Sequence, residues 1–316
     1  MKLHEDFTVR TDLADEKEEF LKERDGKKLA GIAVNRKKSD GFDISIMQIL
    51  NEEGEKISGK PVGRYVTVDV GKIWMSDKKR FSDACKIISS FIKEFIPDKN
   101  GSCMLAALGN KNIIADAIGP LTAESFIVTK HIKDSEKDIF DALNLRETLC
   151  ISPGVLGNTG IEAAQIIKGA VMQSNPSFII AVDSLASRHL SRLATTVQIC
   201  DTGITPGSGI NNARKEISKN TLGIPVIAIG VPTVVDVTTL ASDIVKSVAD
   251  KSNDGKIKNS VGKIINEISS HEAENFFVTP KETDHIIKDT SKLIAYSINM
   301  ALHDGITEGE IDELIS

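Results

Sequence analysis

Five short apolar runs, spaced along the middle of the chain, constrain its fold more than any other feature. Residues 103–108 (CMLAAL) carry no charged side chain and stop at Gly109-Asn110. Residues 178–182 (FIIAV) stop at Asp183. Runs at 148–151, 197–200 and 226–231 continue the series. A continuous apolar run of this length reads as a strand buried on both faces, which is how parallel sheets are built. Helical spacing lies between the runs. Residues 81–95 are amphipathic, with Pro97 just past the end, and 160–173 are closed by Asn175-Pro176. Residues 116–131 can be helical, but Gly119-Pro120 limits the start to near Leu121. Residues 236–250 and 283–302 read as further helices. Alternating strand and helix predicts an α/β fold, with a mostly parallel or mixed sheet flanked by helices.

The flanks differ from this core. Residues 16–24 suit a solvated helix, and runs at 29–34, 42–50 and 64–70 predict extra N-terminal strands. Residues 250–282 are rich in Lys, Asn and Ser, the texture of a surface insertion or mobile loop.

Several function classes fall away. The net charge is −6, from 39 basic and 45 acidic residues, so a nucleic-acid partner is not expected. Aromatic residues make up 4%, too few for a base-stacking platform. The longest apolar stretch, 224–235, is broken by Pro225 and Pro232 and cannot span a bilayer. The acid-rich N-terminus lacks the apolar core of a signal peptide. Cys85, Cys103, Cys150 and Cys200 show no CxxC spacing, so neither zinc nor a disulfide framework is expected, and a reducing cytoplasmic compartment is. Neither a P-loop nor a dinucleotide fingerprint is present, and no cofactor or metal is expected. Ser208 lacks the first glycine of a nucleophile elbow. His271-Glu272 misses the zincin pattern by its last residue.

Ligands of open parallel sheets sit outside the carboxyl ends of strands. Asp116, Asp183 and Asp201 all follow such runs. Two carboxylates brought together cannot both ionise cheaply, so one stays protonated while the other activates water. Asp116 and Asp183 are the pair that suits this peptidase chemistry. Asp116 as a helix N-cap, Asp183 as a strand-end turn residue and Asp201 as either a third carboxylate or a turn residue remain open on sequence alone. Arg188 could steady a carboxylate or form a structural ion pair.

The runs 153–169 (PGVLGNTGIEAAQIIKG), 182–188 (VDSLASR), 198–214 (QICDTGITPGSGINNAR) and 223–240 (GIPVIAIGVPTVVDVTTL) resemble the spore germination proteases. So do VRTDLA at 9–14 and VTPKETD at 278–284. The resemblance implies a core similar to the hydrogenase-maturation peptidases, in a single domain spanning 13–316. It implies an endopeptidase that degrades small acid-soluble spore proteins in the spore core, with Asp116 and Asp183 as its catalytic pair. Ala115, Ile118 and Ser184 depart from the family motifs without removing a carboxylate. The resemblance further implies a homotetramer, and a zymogen that cuts itself between Asp12 and Leu13 and so sheds residues 1–12. Asn110, Arg188, Asp201, Ser208 and Arg214 are the candidates for substrate binding or support. An acidic residue beside the scissile bond calls for a basic or hydrogen-bonding pocket, for which Arg188, Arg192 and Arg214 are available. A metal-dependent maturation-type peptidase and a catalytically silent spore-protein binder are the alternatives.

Overall fold

A computed structural model of the chain describes residues 10–25, 29–143, 145–208, 214–251, 260, 264 and 276–315. One sheet organises them. Its strands are β1 (Ile32–Ser39), β2 (Phe42–Ile49), β3 (Gly63–Asp69), β4 (Cys103–Ala107), β5 (Thr148–Ile151), β6 (Phe178–Ser187), β7 (Thr196–Cys200), β8 (Val226–Asp236) and β9 (Phe277–Val278). The order across the sheet is β1-β2-β3-β7-β8-β6-β4-β5, with β9 pairing β8 off this path. The helices that matter to the site are α1 (Ala14–Asp25), α2 (Lys78–Phe95), α3 (Ile118–Glu124), α4 (Ala163–Ser174), α5 (Val237–Lys251) and α6 (Thr283–Leu302).

The sheet is mixed. β8, β6, β4 and β5 run parallel, as their unbroken apolar sequences predict. β1, β2, β3 and β7 join antiparallel, and β7 is also antiparallel to β8. This corrects the reading of 197–200 as one more member of the parallel series. An apolar run encodes burial, not direction, so β7 could not be oriented from its sequence.

Two other boundaries moved for local reasons. The strand expected to end at Asp183 continues to Ser187, because β8 runs on beside it. Its register shifts between Leu185 and Ala186, opposite Pro232, which has no N–H for the ladder. α3 starts at Ile118, not near Leu121. Pro120 is its third residue, where an N–H would have had no intrahelical acceptor. Of the expected insertion 250–282, most lies outside the described residues; its ends belong to α5 and β9.

The register sorts side chains onto two faces. Ala107, Val182, Ile229, Ile199 and Val66 stand in one row on the face covered by α2, α3 and α6. There they join the main core with Ile88, Ile92, Ile294 and Tyr296. The opposite face carries Ala106, Ala181, Ala228, Cys200 and Tyr65 in the adjacent row. Its small side chains leave room for α4 at one end and for the N-terminal segment at the other. The four cysteines are free, three of them buried, as packing residues should be.

The outer strands are guarded. β1 presents Asn35-Arg36-Lys37-Lys38, and β5 at the far edge is only four residues long. Among the described residues, no helix is long and apolar enough to cross a membrane.

Candidate active site

Asp116 ends a single 3-10 turn, Ile114–Asp116, between β4 and α3. It does not cap α3: the residue at that position is Ala117, and no side chain bonds the helix start. Instead Asp116 closes the loop on itself. The Asn110 amide donates to Asp116 Oδ2 at 2.9 Å and to the Asp116 carbonyl at 2.9 Å. Asn110 is shaped in turn by its own Oδ1, which accepts from the Asn112 amide at 3.0 Å. Thr233, from the far part of β8, donates to the Ala115 carbonyl at 2.6 Å and ties the loop to the sheet. Burial pushes the Asp116 carboxyl up to about 6, and the Asn110 amide pulls against that rise.

Asp183 lies on β6, 5% exposed. Its Oδ1 accepts from the Ser184 amide at 2.9 Å. Burial raises its carboxyl well above the ordinary carboxylate range, the negative charge of Asp116 raises it further, and Asp12 adds to the same direction. The two aspartates singled out in the sequence are therefore electrostatic neighbours in the fold. α3 reaches them because Gly119 has no side chain: a Cβ there would stand 2.2 Å from the Leu108 carbonyl and 2.7 Å from the Val182 carbonyl.

A second alignment crosses the sheet at the same level. Asp183 pairs with Gly230 on β8, and Gly230 pairs with Gln198 on β7. The three residues share a face, with Asp183 and Gln198 about 10 Å apart at two strand spacings. Gly230 leaves the middle position empty for the Leu185 side chain; a Cβ would sit 2.3 Å from Leu185 Cδ1. Leu185, Gly230 and Gln198 line a cleft of about 260 Å³, whose other walls include Lys60, Ser208 and Tyr65.

Thr11 and Asp12, from the chain's own N-terminal segment, form a further wall of that cleft. Thr11 and Asp12 are each 8% exposed, and Leu13 and Ala14 are fully buried. Asp12 is tied to Ala186 twice: its amide donates to the Ala186 carbonyl at 2.9 Å, and its side-chain Oδ2 accepts from the Ala186 amide at 2.9 Å. Asp12 Oδ1 accepts from the Ser208 hydroxyl at 2.6 Å. The Asp12 carbonyl accepts from Lys60 Nζ at 2.8 Å and from Gln198 Nε2 at 3.2 Å. Gln198 Oε1 accepts from the Ala14 amide at 2.7 Å.

The arginines expected to receive Asp12 are placed elsewhere. Arg188 grips Asp243 through Nε (2.8 Å) and Nη2 (3.0 Å), and Nη2 also reaches Glu23 at 2.9 Å. Arg192 pairs with Asp15 at 3.1 Å. Arg214 is exposed, its amide donating to the Pro206 carbonyl at 2.9 Å, and residues 209–213 before it lie outside the described residues. Asp201 is not at this end of the sheet: β7 runs antiparallel, so its carboxyl end lies toward the amino ends of β6 and β8. There Asp201 Oδ1 accepts from the Arg64 amide at 2.9 Å and pins the start of β3.

The Arg188 contacts bind α1 to α5 across the end of β6. Glu16 of α1, fully buried, adds its carboxylate to the Arg188 and His189 amides at 2.6 and 3.1 Å. Arg188→Ala would leave Asp243 without its paired cation, and is expected to lower unfolding free energy by about 3 kcal/mol. Arg188→Lys should restore less than half of that, since an ammonium cannot grip two oxygens in a plane. Urea unfolding curves of the three proteins measure both numbers.

Sequence reasoning missed Lys60, Gln198 and Glu16, which nothing in their local sequence distinguishes. Gly230 did leave a signal: a lone glycine inside an apolar strand marks a bulge or a close approach. Among the described residues, no three His, Cys, Asp or Glu side chains come together as a metal site would require.

Comparison with known proteins adds the following. A family model described as germination protease matches residues 9–260 and 252–314. The chain is 40% identical to a germination protease of Caldanaerobacter subterraneus subsp. tengcongensis, over 97% of this chain and 98% of that one. It is 39% identical to a germination protease of Clostridium perfringens, over 98% and 100%. Against a germination protease of Bacillus licheniformis the identity is 36%, over 96% and 95%.

Proposed function

The chain belongs to the germination protease family, and on that premise we propose that it is an aspartic-type endopeptidase whose water-activating pair is Asp116 and Asp183. One observation supports this above the others: Asp116, in the turn that follows β4, and Asp183, within the neighbouring parallel strand β6, are each raised by burial, with the Asp116 charge acting on Asp183. In this reading Asp116 is the base. The Asn110 amide favours its ionised form, and with a value near about 6 it is mostly charged at neutral pH. Asp183 is the acid, kept protonated by burial and by the charges that face it.

The substrates proposed are small acid-soluble spore proteins in the spore core, and the assembly proposed is a homotetramer. Residues 1–12 act as a propeptide, and 13–316 form the peptidase domain. Thr11-Asp12-Leu13-Ala14, buried where the N-terminal segment enters α1, is the proposed self-cleavage site. Because the Asp12–Leu13 bond is buried, it is cut within its own molecule, and the rate is expected not to change with protein concentration.

The test follows the mass of the full chain, and of an added small acid-soluble spore protein, from about pH 4 to 8. The sign is fixed by the base. Below about 6 Asp116 takes up a proton, and the rate should fall about tenfold per pH unit. Above that it should level off until Asp183 ionises. A strong chelator should leave the rate unchanged. Cleavage lost on chelation and restored by a metal would replace the dyad with a metal mechanism, and binding of the spore protein without new termini would favour a silent binder.

A further inference from the structure

Residues 11–14 are buried beside the cleft, and their contacts involve side chains that the dyad does not use. The Asp12 carbonyl oxygen stands in for the carbonyl oxygen of a substrate's scissile bond. The Asp12 carboxylate stands in for the side chain of the acidic residue before that bond. On this basis, and resting on the peptidase reading above, we propose that Lys60 and Gln198 polarise the scissile carbonyl, and that Ser208 with the Ala186 amide forms the subsite for the acidic side chain.

Two donors converge on one oxygen, Lys60 Nζ at 2.8 Å and Gln198 Nε2 at 3.2 Å. The orientation of Gln198 is fixed by its other contact. Its Oε1 accepts from the Ala14 amide, so Nε2 is left to face Asp12. Gln198 thus spans Leu13, holding the carbonyl of the Asp12–Leu13 peptide and the amide of the Leu13–Ala14 peptide. It is 7% exposed on a central strand and has little freedom to turn away. Lys60 stands on a stiff turn. It follows the short helix Glu52–Ser58, its amide donates to Ser58 Oγ at 3.2 Å, and Pro61 comes next, with its carbonyl taken by the Tyr65 hydroxyl at 2.9 Å. Through Gly230, Gln198 and Asp183 stand on one face of the sheet.

The chemistry needs such donors. Water oxygen bonds to the Asp12 carbonyl carbon as one water proton passes to Asp116. The carbonyl π pair moves onto oxygen, and that negative charge meets the Lys60 ammonium and the Gln198 amide. The C–N bond then breaks with its electron pair on the Leu13 nitrogen, which takes a proton from Asp183. The carbonyl re-forms, and Asp116 passes the proton it gained to Asp183, which restores the pair. Donors already aimed at the oxygen stabilise the intermediate without reorganising, which is where most electrostatic catalysis arises. The subsite is a neutral hydroxyl and one amide, 2.6 and 2.9 Å from the two carboxylate oxygens, enough for two charge-assisted hydrogen bonds without a paired arginine.

The experiment uses the full chain and reads the rate at which the Asp12–Leu13 bond is cut, by mass spectrometry, with thermal melting as the control for folding. Lys60→Met should slow the cut about 10²-fold and Gln198→Leu by ~10–10²-fold, the range for losing one donor to an oxyanion. Lys60→Arg, which keeps a cationic donor, should return to within about tenfold of the parent. Ser208→Ala should slow the parent about tenfold but leave an Asp12→Asn chain unaffected, because the charge it serves is gone. Only variants that melt like the parent count. Parental rates in Lys60→Met and Gln198→Leu, with Asp183→Asn inert, would overturn the proposal and leave the dyad standing. A parental rate in Asp183→Asn would instead remove the dyad. A parent chain whose bond stays whole would overturn this proposal together with self-cleavage.

Discussion

Asparagine at position 183 is expected to stop cleavage and, at neutral pH, to strengthen the fold. The first effect is the loss of the proton donor to the leaving nitrogen. General-acid groups contribute roughly 10²–10⁴-fold, and a buried acid inside a dyad should lie near the upper end. The amide keeps the shape of the carboxyl, and its Oδ1 can still accept from the Ser184 amide, so the cut should fail without a change in structure. The second effect follows from the raised acidity constant. In the unfolded chain Asp183 ionises near 3.8, whereas in the fold it holds its proton well beyond that. Between those values the native state binds one more proton than the unfolded state, so parental stability falls as pH rises. Asparagine has no such dependence. The variant should therefore melt higher than the parent at pH 7, and the gap should close below about pH 4. Melting curves at the two pH values decide the matter. A variant that still cuts, or that melts lower than the parent at neutral pH, contradicts the role given to this carboxyl. A residue that costs stability where it serves chemistry is a common feature of active sites.

Gly119→Ala should be among the most damaging single-methyl changes in the described residues. The added carbon would stand 2.2 Å from the Leu108 carbonyl and 2.5 Å from the Leu108 amide, both backbone atoms that cannot swing aside. Relief requires α3 to lift off the ends of β4 and β6. Overpacking of this kind costs about 3 kcal/mol. In a chain of this size that lowers Tm by about 5 °C. The same shift would separate the Asp116 loop from Asp183, so the folded fraction should cut slowly as well. Activity per folded molecule, measured well below the melting range, separates the two effects. Parental stability in this variant would show that the Leu108–Gly119 approach is not as close as described.

The parallel half of the fold was legible because strands buried on both faces spell themselves out: 103–108, 148–151, 178–182 and 226–231 all became strands. The N-terminal strands were legible from turn residues at their ends. Direction was not, and β7 shows why: hydrophobic content is the same whichever way a strand runs. That one ambiguity misplaced Asp201 beside the dyad candidates. Asp116 and Asp183 stood out because they follow apolar runs that read as buried strands, and the family resemblance separated them from turn residues. Lys60 and Gln198 are 138 positions apart, and only β3, β7 and the turn before β3 bring them to one oxygen. No local pattern encodes such a meeting. Arg188 was misleading in the opposite way: a lone arginine among polar residues after an apolar run suggests substrate binding, yet its partners come from α1 and α5.

The margins of the sheet have a consequence of another kind. An unpaired strand edge is a template on which further chains can grow, the first step toward fibres. Here one outermost strand carries three neighbouring basic side chains, Arg36, Lys37 and Lys38, of which Arg36 and Lys38 pair with carboxylates of the same chain, and the other strand is too short to hold a copy. Concentrated samples of this protein should therefore remain free of cross-β material so long as the native sheet is intact, and replacing those cations with threonine should be the quickest way to lose that protection.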